Sequence, residues 1–314
     1  MKPARIFLRW TLALVGVWLV LTIAIGIFAA EAGLHPGRSV EGPTEEQLAQ
    51  SVAARNHALI ADASITAADG ATLQAWSIRP SSSNGDTVIL LHGVSDNRAG
   101  MLGSADLLLR HGYAVLLPDA RAHGLSDGAI ATYGVKEAED IRRWFNWIEQ
   151  AEAPHCIDGL GESMGAAQLL NSLSAEPGFC AVVAESPFAS FREASYDRLG
   201  QQLNAGALLG RTLLRPAVET GFLYARWKYG VNLDQASPEN AVAASHVPIL
   251  LIHGKKDTNL PPRHSEMILA HSSARGTAVA LWEPAEAEHC GASEAEPAEY
   301  QRRVLAWFDS HRRP

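Results

Sequence analysis

From about Ser64 onward, short apolar runs alternate with longer stretches carrying apolar residues at helical spacing, and this limits the possible folds more than any other feature of the chain. Thr87–His92, Tyr113–Leu117, Cys156–Leu160, Cys180–Glu185, Pro248–His253 and Thr277–Trp282 read as strands. Runs such as TVILLH lack a polar face, so both faces must be covered, as they are in parallel sheets. Helices are expected between and after them at Arg98–His111, Val135–Ala151, Met164 to about Ala175, about Pro262–Ser272 and Glu296–His311. Ser64–Ala68 and Thr72–Arg79 predict two further strands joined at Asp69-Gly70, a hairpin turn signal. The expectation is an α/β fold, a mostly parallel sheet flanked by helices. Phe188–His246 interrupts the pattern with no strand-like run. Helices at Leu199–Leu214 and Glu219–Tyr229, broken around Arg215-Pro216 and Gly230, suggest an inserted helical lid over about residues 188–246.

The start of the chain is different in kind. Lys2, Arg5 and Arg9 precede Trp10–Ala30, 21 residues without a charge. At 1.5 Å per residue such a helix matches a hydrocarbon core of about 30 Å. The basic flank predicts a cytoplasmic N-terminus and an extracytoplasmic remainder, periplasmic or extracellular. Ala30-Glu31-Ala32 resembles the small-x-small site of a cleaved signal peptide, which would make the protein secreted. Against cleavage stands the length of the run, and against a buried core helix stand its terminal position and basic flank. Glu31–Pro43 suits a tether, and Thr44–Ala61 a short helix with Thr44 and Gln47 as a capping box. The expected organisation is therefore an anchor at 1–30, a linker with a short helix at 31–61 and the α/β domain at 62–314.

With 26 basic against 34 acidic residues, a net charge of −8, the chain lacks the basic surface that phosphate neutralisation needs, so nucleic acid is not an expected partner. The glycines form no G-x-G-x-x-G fingerprint and the three cysteines no zinc spacing, so no cofactor or metal is expected. No sequence signal sets an oligomeric state.

Gly161-Glu162-Ser163-Met164-Gly165 matches G-x-S-x-G between a predicted strand and a predicted helix. In that context the glycines relieve crowding in a tight turn that presents Ser163 at the helix N-terminus. A serine hydroxyl is a weak nucleophile, so it needs a base and a group that orients the base. Asp257, just after PILLIH, and His289, after the last predicted strand, follow in the order this architecture uses. Ser163 is therefore the expected nucleophile, His289 the general base and then acid, and Asp257 the residue holding the imidazole tautomer; Glu185, at its own strand end, is the runner-up acid. Oxyanion stabilisation needs preorganised N–H donors, expected from Met164 and Val94, with Gly93 letting the backbone approach closely. His92 is expected to brace its loop rather than act as a second base.

LLHG at Leu90–Gly93, DARAHGLSDG at Asp119–Gly128, GESMG, ESPF at Glu185–Phe188, HGKKD and EHCG together resemble the α/β-hydrolase superfamily. More narrowly they are similar to its membrane-anchored, serine-aminopeptidase-like members, also described as BEM46-like. The resemblance covers about Ser64–Arg313. It implies a serine hydrolase that cleaves a carboxylic ester or related acyl bond of a small-molecule substrate through an acyl-enzyme intermediate. A peptidase or amidase and a catalytically silent binding fold are the alternatives. The family pattern D-x-R-G-H-G-x-S is matched at Asp119, Arg121, His123, Gly124 and Ser126, with Ala122 in place of a glycine. That segment is structural in the family; a metal at Asp119 and His123 is the sharper alternative, and the remaining ligands are missing. Serine at the elbow separates the chain from relatives with an aspartate nucleophile. Cys156 and Cys180 begin strands that are neighbours in the family's sheet, so export would allow them to pair; the alternative is two small core residues. Cys290, beside His289, has no base of its own but would make the site sensitive to thiol reagents. In the lid, Leu203, Leu208, Leu213, Phe222, Leu223 and Trp227 either pack together or line an acyl pocket or meet the membrane.

Overall fold

A computed structural model of the chain describes residues 2–202, 206–273 and 278–313. Helices α1 (Lys2–Leu34) and α2 (Pro43–Arg55) precede strands β1 (Ala58–Thr66), β2 (Thr72–Pro80) and β3 (Thr87–Leu91). There follow α3 (Leu102–Arg110), β4 (Ala114–Pro118), α4 (Glu137–Glu152), β5 (Ile157–Glu162), α5 (Met164–Ser172) and β6 (Val182–Glu185). Helices α6 (Phe191–Gln202), α7 (Gly206–Arg211), α8 (Arg215–Tyr229) and α9 (Pro238–Ala243) come before β7 (Ile249–Ile252). The chain ends with α10 (Arg263–Ser273), β8 (Val279–Trp282), α11 (Ala292–Ala295) and α12 (Pro297–Ser310).

These elements form two compact units. The larger runs from His35 to Phe191 and resumes at Gln235; the smaller holds α1 and Arg192–Asp234. In the larger unit one sheet has the strand order β1-β2-β4-β3-β5-β6-β7-β8. The β1–β2 and β2–β4 pairs are antiparallel and all others parallel. Successive side chains of a strand point to opposite faces. Accordingly Val88 and Leu90 of β3 join a core with Leu108, Val304 and Phe308, while Ile89 and Leu91 join a second core with Ile141, Leu169 and Ile268. Covering both faces is what allows Val88–Leu91 of β3 and all of β4 to be apolar. Cys156 and Cys180, which lead into the neighbouring strands β5 and β6, form a disulfide with a Cα–Cα distance of 5.7 Å.

Most expected elements are present with ends shifted by a few residues, but several readings need correction. The helix expected over Thr44–Ala61 stops at Arg55, and Ala58 already pairs with Pro80 in the β1–β2 ladder. The sheet thus begins before residue 62, because pairing with β2 recruits residues whose own pattern is ambiguous. Helix α2 is capped at Gly42, whose N–H donates to Glu45 Oε2 at 2.9 Å, rather than by Thr44 and Gln47. Pro43 occupies the first turn, where no N–H is required. Glu31–Leu34 is helical and continues α1 instead of starting a tether. Pro216 does not break a helix but sits in the first turn of α8, which begins at Arg215. In place of one helix over Leu199–Leu214 there are α6, starting at Phe191, and α7. Leu203 and Thr277 lie outside the described residues. By length and composition α1 is long and apolar enough to cross a membrane.

Candidate active site

Ser163 joins β5 to α5 with φ +52° and ψ −113°, a backbone region that non-glycine residues occupy only when their surroundings hold them there. Its N–H donates to Glu185 O at 2.8 Å, and its carbonyl accepts from Ala167 N–H at 3.1 Å. The flanking glycines are sterically required. A Cβ at Gly165 would lie 2.3 Å from Leu91 O, and one at Gly161 would lie 2.7 Å from Gly165 O. Gly93 differs from expectation: a Cβ there would meet Ser163 Cβ at an ordinary 3.8 Å, so the protein backbone does not demand glycine at this position.

The turn brings Ser163 Oγ to 2.8 Å from His289 Nε2, across 126 residues of chain. His289 Nδ1 lies 2.7 Å from Asp257 Oδ2. The other oxygen, Oδ1, accepts from Asn259 and Leu260 N–H, each at 2.9 Å. Burial alone would raise the Asp257 carboxyl. Hydrogen bonds from His253 and His289 and from the Leu260 N–H outweigh it and hold the group well below the usual carboxylate range. An ionised Asp257 is an acceptor only, so Nδ1 of His289 carries the proton and Nε2 presents its lone pair to the serine hydroxyl. The imidazole is 21% exposed, so it is open to a reactant on one side.

His253 belongs to this network although sequence reasoning assigned it no role. Its Nε2 donates to Leu260 O at 2.8 Å and lies 3.3 Å from Asp257 Oδ2, while Nδ1 meets Ser265 Oγ at 2.7 Å. This fully buried ring pins the loop that carries Asp257. The only sequence signal was its place at the end of an apolar strand, four residues before the acid.

Asp257, and not the runner-up Glu185, is the carboxylate hydrogen-bonded to the imidazole. Glu185 Oε1 accepts from Ala292 N–H at 2.9 Å, and the neighbouring Ser186 Oγ accepts from Cys290 N–H at 3.2 Å. The end of β6 thereby holds both sides of the His289 loop. Glu185 is also the register partner of Glu162 on β5. Burial, and for Glu162 the nearby Glu185, raises Glu162 to about 8; burial raises Glu185 to about 7, opposed by the Ala292 N–H. For a carboxyl whose folded value lies above its unfolded one, the fold holds a proton that the unfolded chain has released. Stability therefore falls as pH rises from the ordinary 4.5 to about 7, then levels off. Glu185→Gln, which keeps the acceptor for Ala292, is expected to gain on the order of 1–3 kcal/mol over the parent between pH 5 and pH 8. Thermal unfolding at the two pH values measures this, and a difference that does not change with pH contradicts a neutral Glu185.

Among the described residues, neither the Val94 nor the Met164 amide hydrogen has an acceptor. His92 braces its loop as expected: Nδ1 donates to Gly93 O at 2.7 Å and Nε2 accepts from Ala120 N–H at 3.1 Å. Burial lowers its basicity, which suits a neutral ring in that role. Asp119 accepts from Arg98 and Leu125 N–H at 2.8 and 2.9 Å, and His123 Nδ1 bonds Arg121 O at 2.9 Å. Asp119 thus ties its own loop to the Arg98 turn, and His123 serves the loop's own backbone. Among the described residues no group of three His, Cys, Asp or Glu has the arrangement to hold a metal ion. Burial drives the Cys290 thiol well above its ordinary range, which disfavours the thiolate that a reagent would attack.

A family model described as alpha/beta hydrolase fold matches residues 86–206, and one described as prolyl oligopeptidase family matches residues 216–313. The uncharacterized protein YqkD of Bacillus subtilis is 28% identical over 228 residues, 72% of each chain. The uncharacterized protein YfhR of Escherichia coli is 28% identical over 276 residues, 85% of this chain and 81% of its own. Among solved structures, the Pyrococcus furiosus esterase Pf2001 superposes with a TM-score of 0.70 at 26% identity, covering 89% of this chain and 98% of the esterase. Pyrococcus horikoshii acylaminoacyl peptidase, at 16% identity and a TM-score of 0.63 over 82% of this chain and 42% of its own, shares the fold. The chain has the α/β-hydrolase fold, and these similarities support a hydrolase.

Proposed function

We propose that the protein is a serine hydrolase that cleaves carboxylic esters, with Ser163, His289 and Asp257 as its catalytic residues. The observation that carries this reading is the hydrogen-bonded chain from Ser163 Oγ through His289 to Asp257, at 2.8 and 2.7 Å. As Ser163 Oγ attacks the acyl carbonyl, its proton passes to His289 Nε2. Asp257 stabilises the resulting imidazolium through Nδ1–H without itself becoming protonated. The Val94 and Met164 amides donate to the developing oxyanion. Collapse of the tetrahedral intermediate breaks the bond to the alcohol, which leaves with the proton from Nε2, and the acyl group stays on Ser163. Water then attacks with His289 as base, the acid departs, and the serine is regenerated.

An ester is favoured by the likeness to the Pyrococcus furiosus esterase along nearly all of both chains. A second reading, a peptidase or amidase, draws on the match of residues 216–313 to the prolyl oligopeptidase family. A panel pairing p-nitrophenyl acyl esters with N-acyl-peptide p-nitroanilides separates them. Turnover of the esters alone supports the first reading, and preferential turnover of the anilides replaces it with the second.

The pH profile follows from the network. Asp257 is held below the usual carboxylate range, so it stays ionised as the medium becomes acid. Loss of activity in acid therefore falls to the base rather than to Asp257, and kcat/KM is expected to drop on the acid side. A flat profile between about pH 5 and 8 contradicts His289 as the base.

Helix α1 is read as an uncleaved anchor with its basic end in the cytoplasm, which leaves the hydrolase unit outside. The Cys156–Cys180 disulfide supports that location, because such bonds persist in oxidising compartments.

A further inference from the structure

Within the smaller unit, α8 runs alongside the last third of α1 in the same direction. A Cβ at Gly26 would come 2.2 Å from Ala217 O and 2.9 Å from Thr220 Cβ; one at Gly221 would come 3.1 Å from Gly26 O. Further along both helices, Glu31 accepts from Tyr224 Oη, Lys228 Nζ at 2.7 Å and Tyr229 Oη at 2.9 Å. Glycine contacts of this kind let helix backbones approach closely, as in packed membrane helices.

The uncharged run of α1 ends at Ala30, so Gly26 lies about 6 Å inside its outer end at 1.5 Å per residue. The first turns of α8 touch that level. The Glu31 cluster, with Tyr224, Lys228 and Tyr229, lies where the run ends, and such side chains favour the membrane–water boundary. Leu223 and Trp227, one helical turn apart, are 69% and 82% exposed. They follow Thr220 and Tyr224 by three residues, so they lie on the strip of α8 bordering its contact with α1. Glu219, one turn before Leu223, is held by Arg192 and Tyr196. Leu208 and Leu213, just before α8, are exposed as well.

We propose that this strip of α8 is a second membrane contact, in which Leu223 and Trp227 enter the outer boundary layer of the bilayer beside α1. The occupant is lipid, because the strip continues the surface of a helix whose apolar run has the length of a bilayer core. Leu223 and Trp227 lie three and seven residues beyond Thr220, so at 1.5 Å per residue they stand about 4.5 and 10.5 Å outward of the Gly26 contact, on either side of the level where the uncharged run ends. Arg226, exposed on the neighbouring flank, would meet anionic headgroups. The proposal rests on reading α1 as an anchor.

The test uses the full-length chain in phosphatidylcholine–phosphatidylglycerol vesicles, with a bimane label at Leu223→Cys, Trp227→Cys or, within α1, Leu14→Cys. The vesicles contain either ordinary or brominated lipid, and the reference is the free bimane–glutathione adduct. The expected result is quenching by brominated lipid of about twofold or more at all three positions. Quenching at Leu14 with reference-like values at Leu223 and Trp227 overturns the second contact and leaves the anchor standing. Reference-like values at Leu14 overturn the anchor, and the second contact with it.

Discussion

Ser163→Ala is expected to abolish labelling by a fluorophosphonate probe and to lower ester turnover by about 10⁴-fold or more. The alanine retains the Cβ, so the left-handed turn and the packing of α5 against β3 and β5 stay as they are, and the loss reports chemistry alone. His289→Ala should cost nearly as much. The serine and its base act as one device, so the double variant should be scarcely worse than either single one. With the oxyanion held by the Val94 and Met164 amides as proposed, some residual activity is expected in all of them. The readout is labelling mapped to Ser163 by mass spectrometry, together with kcat on the ester panel. Full labelling of Ser163→Ala would place the nucleophile elsewhere. A well-folded parent that does not react would remove the catalytic reading and favour a binding role.

The second large effect concerns stability. Cys156 and Cys180 are 24 positions apart in sequence, so their bond closes a loop in the unfolded chain. For that loop length the chain-entropy relation gives about 3.5 kcal/mol of stabilisation. The double variant Cys156→Ser/Cys180→Ser should therefore unfold about 10 °C below the parent in the same detergent. Both residues are buried, which adds the cost of placing two hydroxyls at the ends of β5 and β6. Equal melting temperatures, or free thiols at both Cys156 and Cys180 in the non-reduced parent, would rule this out.

Much of the candidate site is legible in the sequence because its parts are local. G-x-S-x-G needs only a strand, a tight turn and a helix in succession. Asp257 and His289 each announce themselves by position after an apolar strand. What was missed depends on elements far apart in sequence. His253 became a support for Asp257 only when α10 delivered Ser265 to its ring. Glu185 looked like a possible acid until the 292 loop folded back and engaged its carboxyl.

The fold divides in the same way. Alternation of apolar runs and helical spacing is a short-range property, and it determined an α/β sheet covered on both faces and the strand-to-helix turn at Ser163. Local pattern could not decide that Ala58–Ala61 is strand, since only pairing with Ile78–Pro80 makes it one. Nor could it decide that α1 continues to Leu34 with Glu31 bound by three side chains of α8. Such features take their free energy from partners that come within reach only when the chain folds. A periodicity read along the sequence carries the covering of faces but not the identity of what covers them.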